Sequence, residues 1–150
     1  MIPTNLDIWI MAIFLIIISV IDIKTYNKKH DGIPSYLTTL FIMLAVFFHL
    51  INGTINYLPV VGMVAYLIGL FLIDTSYFEG LADLKIFIGI CLLVGSLEGL
   101  GIFTIVMLVV GLCYKFIYKR TTKANTCPFI PSMFISYLIL VGLKFLGGLI

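Results

Sequence analysis

Between Asp7 and Asp22 the chain carries no charged residue, and its stretch Ala12–Ile21, AIFLIIISVI, offers water a single hydroxyl. A helix apolar on every side must be covered on every side, by a large protein core or by lipid. Composition decides between them. Hydrophobic residues make up 62% of the 150, charged residues 11%, and the mean hydropathy is +1.22. A soluble domain has roughly 45–50% apolar and about 25% charged residues. The expected fold class is therefore an all-α polytopic membrane protein, a single transmembrane domain over residues 1–150 in the plasma membrane.

Apolar runs lie at Ile8–Ile23, Tyr36–Ile51, Tyr57–Ile73, Leu84–Leu97, Leu100–Ile117 and Pro128–Leu149, which gives six transmembrane helices. No cation precedes the first run, and Asp22, Ile23 and Lys24 follow it in place of a small-residue cleavage site, so it reads as a retained span and not a signal peptide. Short cytoplasmic loops keep an excess of Lys and Arg. Lys24, Lys28 and Lys29 follow the first run, Lys85 opens the fourth, and Lys115, Lys119, Arg120 and Lys123 end or follow the fifth; Asn52–Asn56 and Glu98–Gly99 carry none. Both termini are expected on the non-cytoplasmic side. Fusing the fourth and fifth runs into one helix would put the last four cations outside, so they are read as separate helices, with the turn at Glu98–Gly99. The fourth run then rises only about 21 Å against a hydrocarbon core of about 30 Å, so either the bilayer thins there or Asp83 sits inside it.

The remaining composition excludes several chemistries. Cys91, Cys113 and Cys127 fall in or at the ends of three different runs without a Cys-x-x-Cys pair, which favours packed thiols over zinc or a disulfide. The net charge of +2 sits in loops that face anionic lipid heads, and nothing in it points to nucleic acid. Gly89 and Gly95, in the fourth run, suit close helix approach.

Only seven acidic residues occur. Asp7 and Glu98 read as interface residues at outer helix ends, and Asp31 as turn chemistry among Asn27, Lys28, Lys29, His30 and Gly32. Asp74 and Glu79 bracket the loop after the third run. Asp22 and Asp83 differ, because each adjoins an apolar run and the topology puts both on one side at similar depth. Two carboxylates at an apolar edge share a proton, which suits hydrolysis: one takes a proton from water while the other polarises a carbonyl. The plainer reading makes both interfacial caps. It suits Asp83 at a helix N-terminus better than Asp22, expected in the last turn of its helix, where a negative charge is disfavoured. Lys24 and Lys85 stand two residues after their aspartates, about 200° around a helix, and read mainly as snorkelling anchors.

The stretch EGLADLK, with Gly80, Ala82, Asp83 and Lys85, resembles the G-x-G-D-x-K signature of the type IV prepilin peptidases, intramembrane aspartyl proteases of the GxGD class. Two further motifs are similar. Ile21, Asp22, Ile33, Pro34, Leu37 and Thr38 match the pattern around that family's first aspartate, and Pro128, Phe129 and Pro131 in CPFIPS match its P-F-x-P. The departures are Ala82 in place of the second glycine, a longer loop from Asp22 to Pro34, and Ser35 where Asp or Asn often follows the proline.

By this resemblance Asp22 and Asp83 are the catalytic pair, with Gly80, Ala82, Lys85, Lys24, Pro34, Pro128, Phe129 and Pro131 as motif or supporting residues. It implies an aspartic endopeptidase that removes the short basic leader of prepilin or pseudopilin substrates at the cytoplasmic membrane face. The chain lacks the cytoplasmic segment with paired Cys-x-x-Cys motifs found in bifunctional members. Methyltransferase activity, zinc and S-adenosylmethionine are therefore not expected, and no cofactor is implied. Asp31, Asp74 and Glu79 are candidate contacts for the leader. The alternative is a small membrane carrier or scaffold using Asp22 and Asp83 to bind a cation or relay protons.

Overall fold

The computed structural model describes residues 6–26, 33–51, 81–94, 96–122 and 127–147, all of them helical or in short lead-ins to helices. Five helices run through these residues: α1 (Leu6–Tyr26), α2 (Ser35–Ile51), α3 (Leu81–Val94), α4 (Leu97–Thr122) and α5 (Ile130–Gly147). The third apolar run, Tyr57–Ile73, lies outside the described residues. Two of the helices, over Leu6–Thr25 and Glu98–Thr122, are long and apolar enough to cross a membrane.

The ends of the helices correct the expected boundaries. The fourth and fifth runs are separate helices, but the turn between them is at Ser96, ahead of Glu98–Gly99. Ser96 accepts the Gly99 N–H on its hydroxyl at 3.0 Å and the Leu100 N–H on its carbonyl at 3.0 Å. It is thus the N-cap of α4, and Glu98 falls in the first turn, where the helix dipole favours a negative charge. With 14 residues α3 rises about 21 Å, the short helix that the sequence anticipates. The last helix starts at Ile130 and not at Pro128, so it is Pro131 that occupies its first turn, a position where a missing N–H costs nothing.

The helices form a closed ring in which α1 packs on α2, α2 on α3, α3 on α4, α4 on α5 and α5 back on α1, with α3 also touching α5. Helices α2 and α3 run parallel. Lys85 reaches Thr39 near their starts, Gly89 faces Phe41 and Ala45 midway, and His49 Nδ1 lies 3.1 Å from the Leu92 carbonyl near their ends. Helices α1 and α5 run antiparallel, joined by Asp22 to Ile130 at one end and by the Tyr137 hydroxyl to the Ile8 carbonyl toward the other. Ile8, Val94, Tyr137 and Lys144 border a single small cavity, so the start of α1 and the ends of α3 and α5 share that end of the ring.

Burial follows helical spacing. Met11, Leu15 and Ile18 form the inner stripe of α1, and Ile86, Phe87 and Ile90 that of α3. Ring contacts tie neighbours together, Phe14 to Phe41 at 6.1 Å and Phe87 to Phe103 at 5.9 Å. The outside is apolar too: Trp9, Ile13 and Ile17 on α1, Met43 and Leu50 on α2, and Ile105, Val109 and Phe116 on α4 are all exposed. Contiguous apolar surface of this kind is costly in water and costs nothing in lipid.

Among the described glycines the tightest surroundings are at Gly89, where a Cβ would lie 2.5 Å from Cε1 of the fully buried Phe41 ring. Alanine is favoured over glycine in a helix by about 1 kcal/mol, yet Gly89→Ala is expected to lower the melting temperature of the detergent-solubilised protein. Adding Phe41→Leu to that variant recovers part of the loss. A Gly89→Ala protein that melts at or above wild type contradicts this packing.

Candidate active site

The inner stripe of α1 does not stop at Ile18: the next inward position is Asp22, which is only 8% exposed. Asp83 heads the inner stripe of α3 and is likewise 8% exposed. Both carboxylates thus take core positions at the ends of apolar stripes, where a solvated interfacial cap would lie on an outer face. The lysines two residues on turn away as a helix requires, with Lys24 exposed and Lys85 half-buried.

Helix α1 continues to Tyr26, so Asp22 stands one turn before its end and not in its last turn. Its carboxylate is placed at another helix instead. Oδ2 accepts the Ile130 N–H at 3.3 Å, and Ile130 is the first residue of α5. A negative charge near the C-terminal end of one helix dipole is thereby set against the N-terminal end of another, which favours it.

The start of α5 is built to leave that donor available. The Phe129 carbonyl accepts the Ser132 N–H at 3.0 Å, the Met133 N–H at 3.3 Å and the Ser132 hydroxyl at 2.7 Å. Pro131 has no N–H to offer. Of the first three residues of the helix, only Ile130 has a donor free to point outward, and it points at Asp22. Pro128, Phe129 and Pro131 are all buried, so the whole P-F-x-P element is part of the packed end of the ring.

Asp83 enters from α3, in the first turn of its own helix. Helices α1 and α3 both pack on α2 and on α5, and since the end of α3 lies beside the start of α1, its first turn with Asp83 lies at the Asp22 end of the ring. Cys127, in the lead-in to α5, lies within electrostatic reach of both aspartates. Burial pushes its thiol above the ordinary range, Lys115 and Lys119 pull it down, and Asp22 and Asp83 both push it up. Tyr114 of α4 lies within electrostatic reach of Asp22, Cys127 and Tyr118, and stacks on Tyr118 at 5.9 Å. The site therefore joins two buried carboxylates to a thiol, a phenol and two lysines.

Several expected residues find other roles. Lys85 is more than an anchor: its ammonium donates to the Thr39 hydroxyl at 3.0 Å and ties α3 to α2. Ala82 lies within regular helix, where no positive φ is called for, so its side chain costs this backbone nothing. Pro34 precedes α2 and its carbonyl accepts the Leu37 N–H at 3.0 Å, which starts that helix. Gly80, Asp31, Asp74, Glu79 and Gly95 lie outside the described residues. Reasoning from sequence missed Tyr114, Cys127 in any role beyond packing, and the Ile130 N–H. A backbone donor leaves no trace in residue type, and the one available signal was that Cys127 adjoins the P-F-x-P element.

Replacing Asp22 by Ala or by Asn removes the same buried charge, but only Asn keeps an acceptor for Ile130. Asp22→Ala is therefore expected to be less stable than Asp22→Asn by about 1–3 kcal/mol, the cost of a buried donor left unmet, in parallel melts of the two purified variants. Equal stabilities would show that the Ile130 contact carries no weight. No family model matches this chain, and neither a curated protein nor a solved structure matches it.

Proposed function

We propose that this protein is an intramembrane aspartyl endopeptidase, similar to the type IV prepilin peptidases, that cuts the leader from prepilin-like precursors. The observation that carries the reading is that two inward, buried carboxylates, Asp22 and Asp83, both lie within electrostatic reach of Cys127 at one end of an all-helical bundle with an apolar exterior. In this reading the ionised aspartate takes a proton from water, and the resulting hydroxide attacks the scissile carbonyl. The protonated partner polarises that carbonyl, and a proton then passes to the departing amine. Close, poorly hydrated carboxylates suit such a division because both do not ionise readily together.

Orientation follows from charge. Lys24, Lys85, Lys115, Lys119 and Arg120 cluster at the aspartate end of the ring, while Lys144 lies at the other. The positive-inside rule then puts the aspartates at the cytoplasmic face, where a basic leader would be presented. Six spans, the third formed by Tyr57–Ile73, and non-cytoplasmic termini complete this topology. A peptidase of this kind needs no methyltransferase segment, zinc or S-adenosylmethionine. Asp31, Asp74 and Glu79 remain the proposed contacts for the leader's basic residues.

Co-expression with an epitope-tagged prepilin tests the reading. Wild type trims the precursor, while Asp22→Asn and Asp83→Asn, made at wild-type levels, cut it about 10²–10⁴-fold more slowly, the range for a lost general acid or base. Normal trimming by either variant removes that aspartate from the mechanism, and an untouched precursor with cation-dependent transport would favour a carrier. Topology is checked separately. Alkaline phosphatase fused after Ile150 is expected to be active and a fluorescent protein at the same place dark, and the reverse result overturns the orientation.

A further inference from the structure

We propose that Gly111 and Phe129 form a positioning pair for Asp22, fixing its carboxylate through the first turn of α5; this rests on the peptidase reading of that aspartate. The argument begins with a distance. The Ile130 N–H meets Asp22 Oδ2 at 3.3 Å, already beyond the usual N–H···O range of about 2.7–3.2 Å. A shift of a few tenths of an ångström at Ile130 releases the carboxylate. Whatever holds Ile130 therefore holds Asp22.

Two restraints act on the preceding residue, Phe129. Its carbonyl is pinned by three donors, the Ser132 and Met133 amides and the Ser132 hydroxyl. Its ring, buried at 5% exposure, lies over Gly111 of α4, where a Cβ would sit 3.4 Å from Cε2 and 3.9 Å from the Ser132 hydroxyl. A methyl group at Gly111 would sit in van der Waals contact with that ring and with the serine. A bulkier side chain displaces the ring and the serine together, and with them the turn that presents the Ile130 donor. Neither residue reaches reacting atoms, so their effect is on placement and not on chemistry.

The test uses the full chain and the prepilin assay, with the hydrogen-exchange rate of the Ile130 amide as a second readout. Gly111→Ala is expected to keep kcat within about twofold of wild type, because 3.4 Å is ordinary contact. Gly111→Leu lowers kcat by about 10–100-fold with KM unchanged, the scale on which sub-ångström to ångström misplacement acts, and speeds exchange at Ile130. Ser132→Ala, which deletes only the 2.7 Å brace, does the same to a smaller degree and carries the test if Gly111→Leu is not recovered folded. Unchanged kcat and unchanged Ile130 exchange in a folded Gly111→Leu or Ser132→Ala protein overturn the proposal, as does a fall in activity that only tracks the amount of folded protein. If wild type does not cleave prepilin, the peptidase reading fails by itself. Faster Ile130 exchange in the variants would still uphold the positioning of Asp22, and unchanged exchange would refute it.

Discussion

The contact between the Asp22 carboxylate and the first amide of α5 is the point on which the aspartate end of the molecule depends. It joins the first and last described helices, closing the ring where their apolar stripes run out. It also answers an electrostatic difficulty. A carboxylate near the C-terminal end of α1, taken out of water, faces both the unfavourable dipole of its own helix and the cost of lost hydration. The N-terminus of α5 supplies a donor and a dipole of the right sign. The same arrangement that makes Asp22 tolerable makes its position definite, as the proposed acid–base role requires.

Around that point the molecule divides its polar and apolar work sharply. Among the described residues, the middle of the ring is mostly aliphatic and aromatic inside and apolar outside, and the buried carboxylates lie at one end. At the aspartate end, Lys115 and Lys119 act on the same thiol that feels both carboxylates, and Lys85 is held to Thr39. The cations thus serve two purposes, marking one end of the bundle and offsetting the negative charge gathered there. Toward the opposite end, polar contacts again link helices: the Tyr137 hydroxyl donates to the Ile8 carbonyl, and His49 Nδ1 lies beside the Leu92 carbonyl.

Much of the candidate site was legible before any coordinates. Asp22 and Asp83 stood out because a carboxylate in a long apolar run is expensive, and the charge pattern put them on one side. Helix ends were less legible, since they depend on which backbone donors find acceptors. Ser96 outcompeted Glu98–Gly99 as the turn because its hydroxyl caps Gly99, and α5 began past Pro128 because the Phe129 carbonyl gathers the first donors. Asp22 was expected at the very end of its helix. The extension to Tyr26 and the partner from α5 replace that simple dipole objection with a specific contact.

Hydrophobic run length, the spacing of inward residues and the scarcity of acidic groups determined by themselves that this chain is helical and that Asp22 and Asp83 are exceptional. These are properties of local sequence, set by the period of a helix and the cost of a buried charge. Only the tertiary structure decided that α1 and α3 meet through α2 and α5, that Gly89 must admit Phe41 and Gly111 must admit Phe129, and that a backbone amide holds Asp22. Such facts depend on groups far apart in the chain, and in the last case on an atom every residue but proline shares, so no pattern of residue types encodes them.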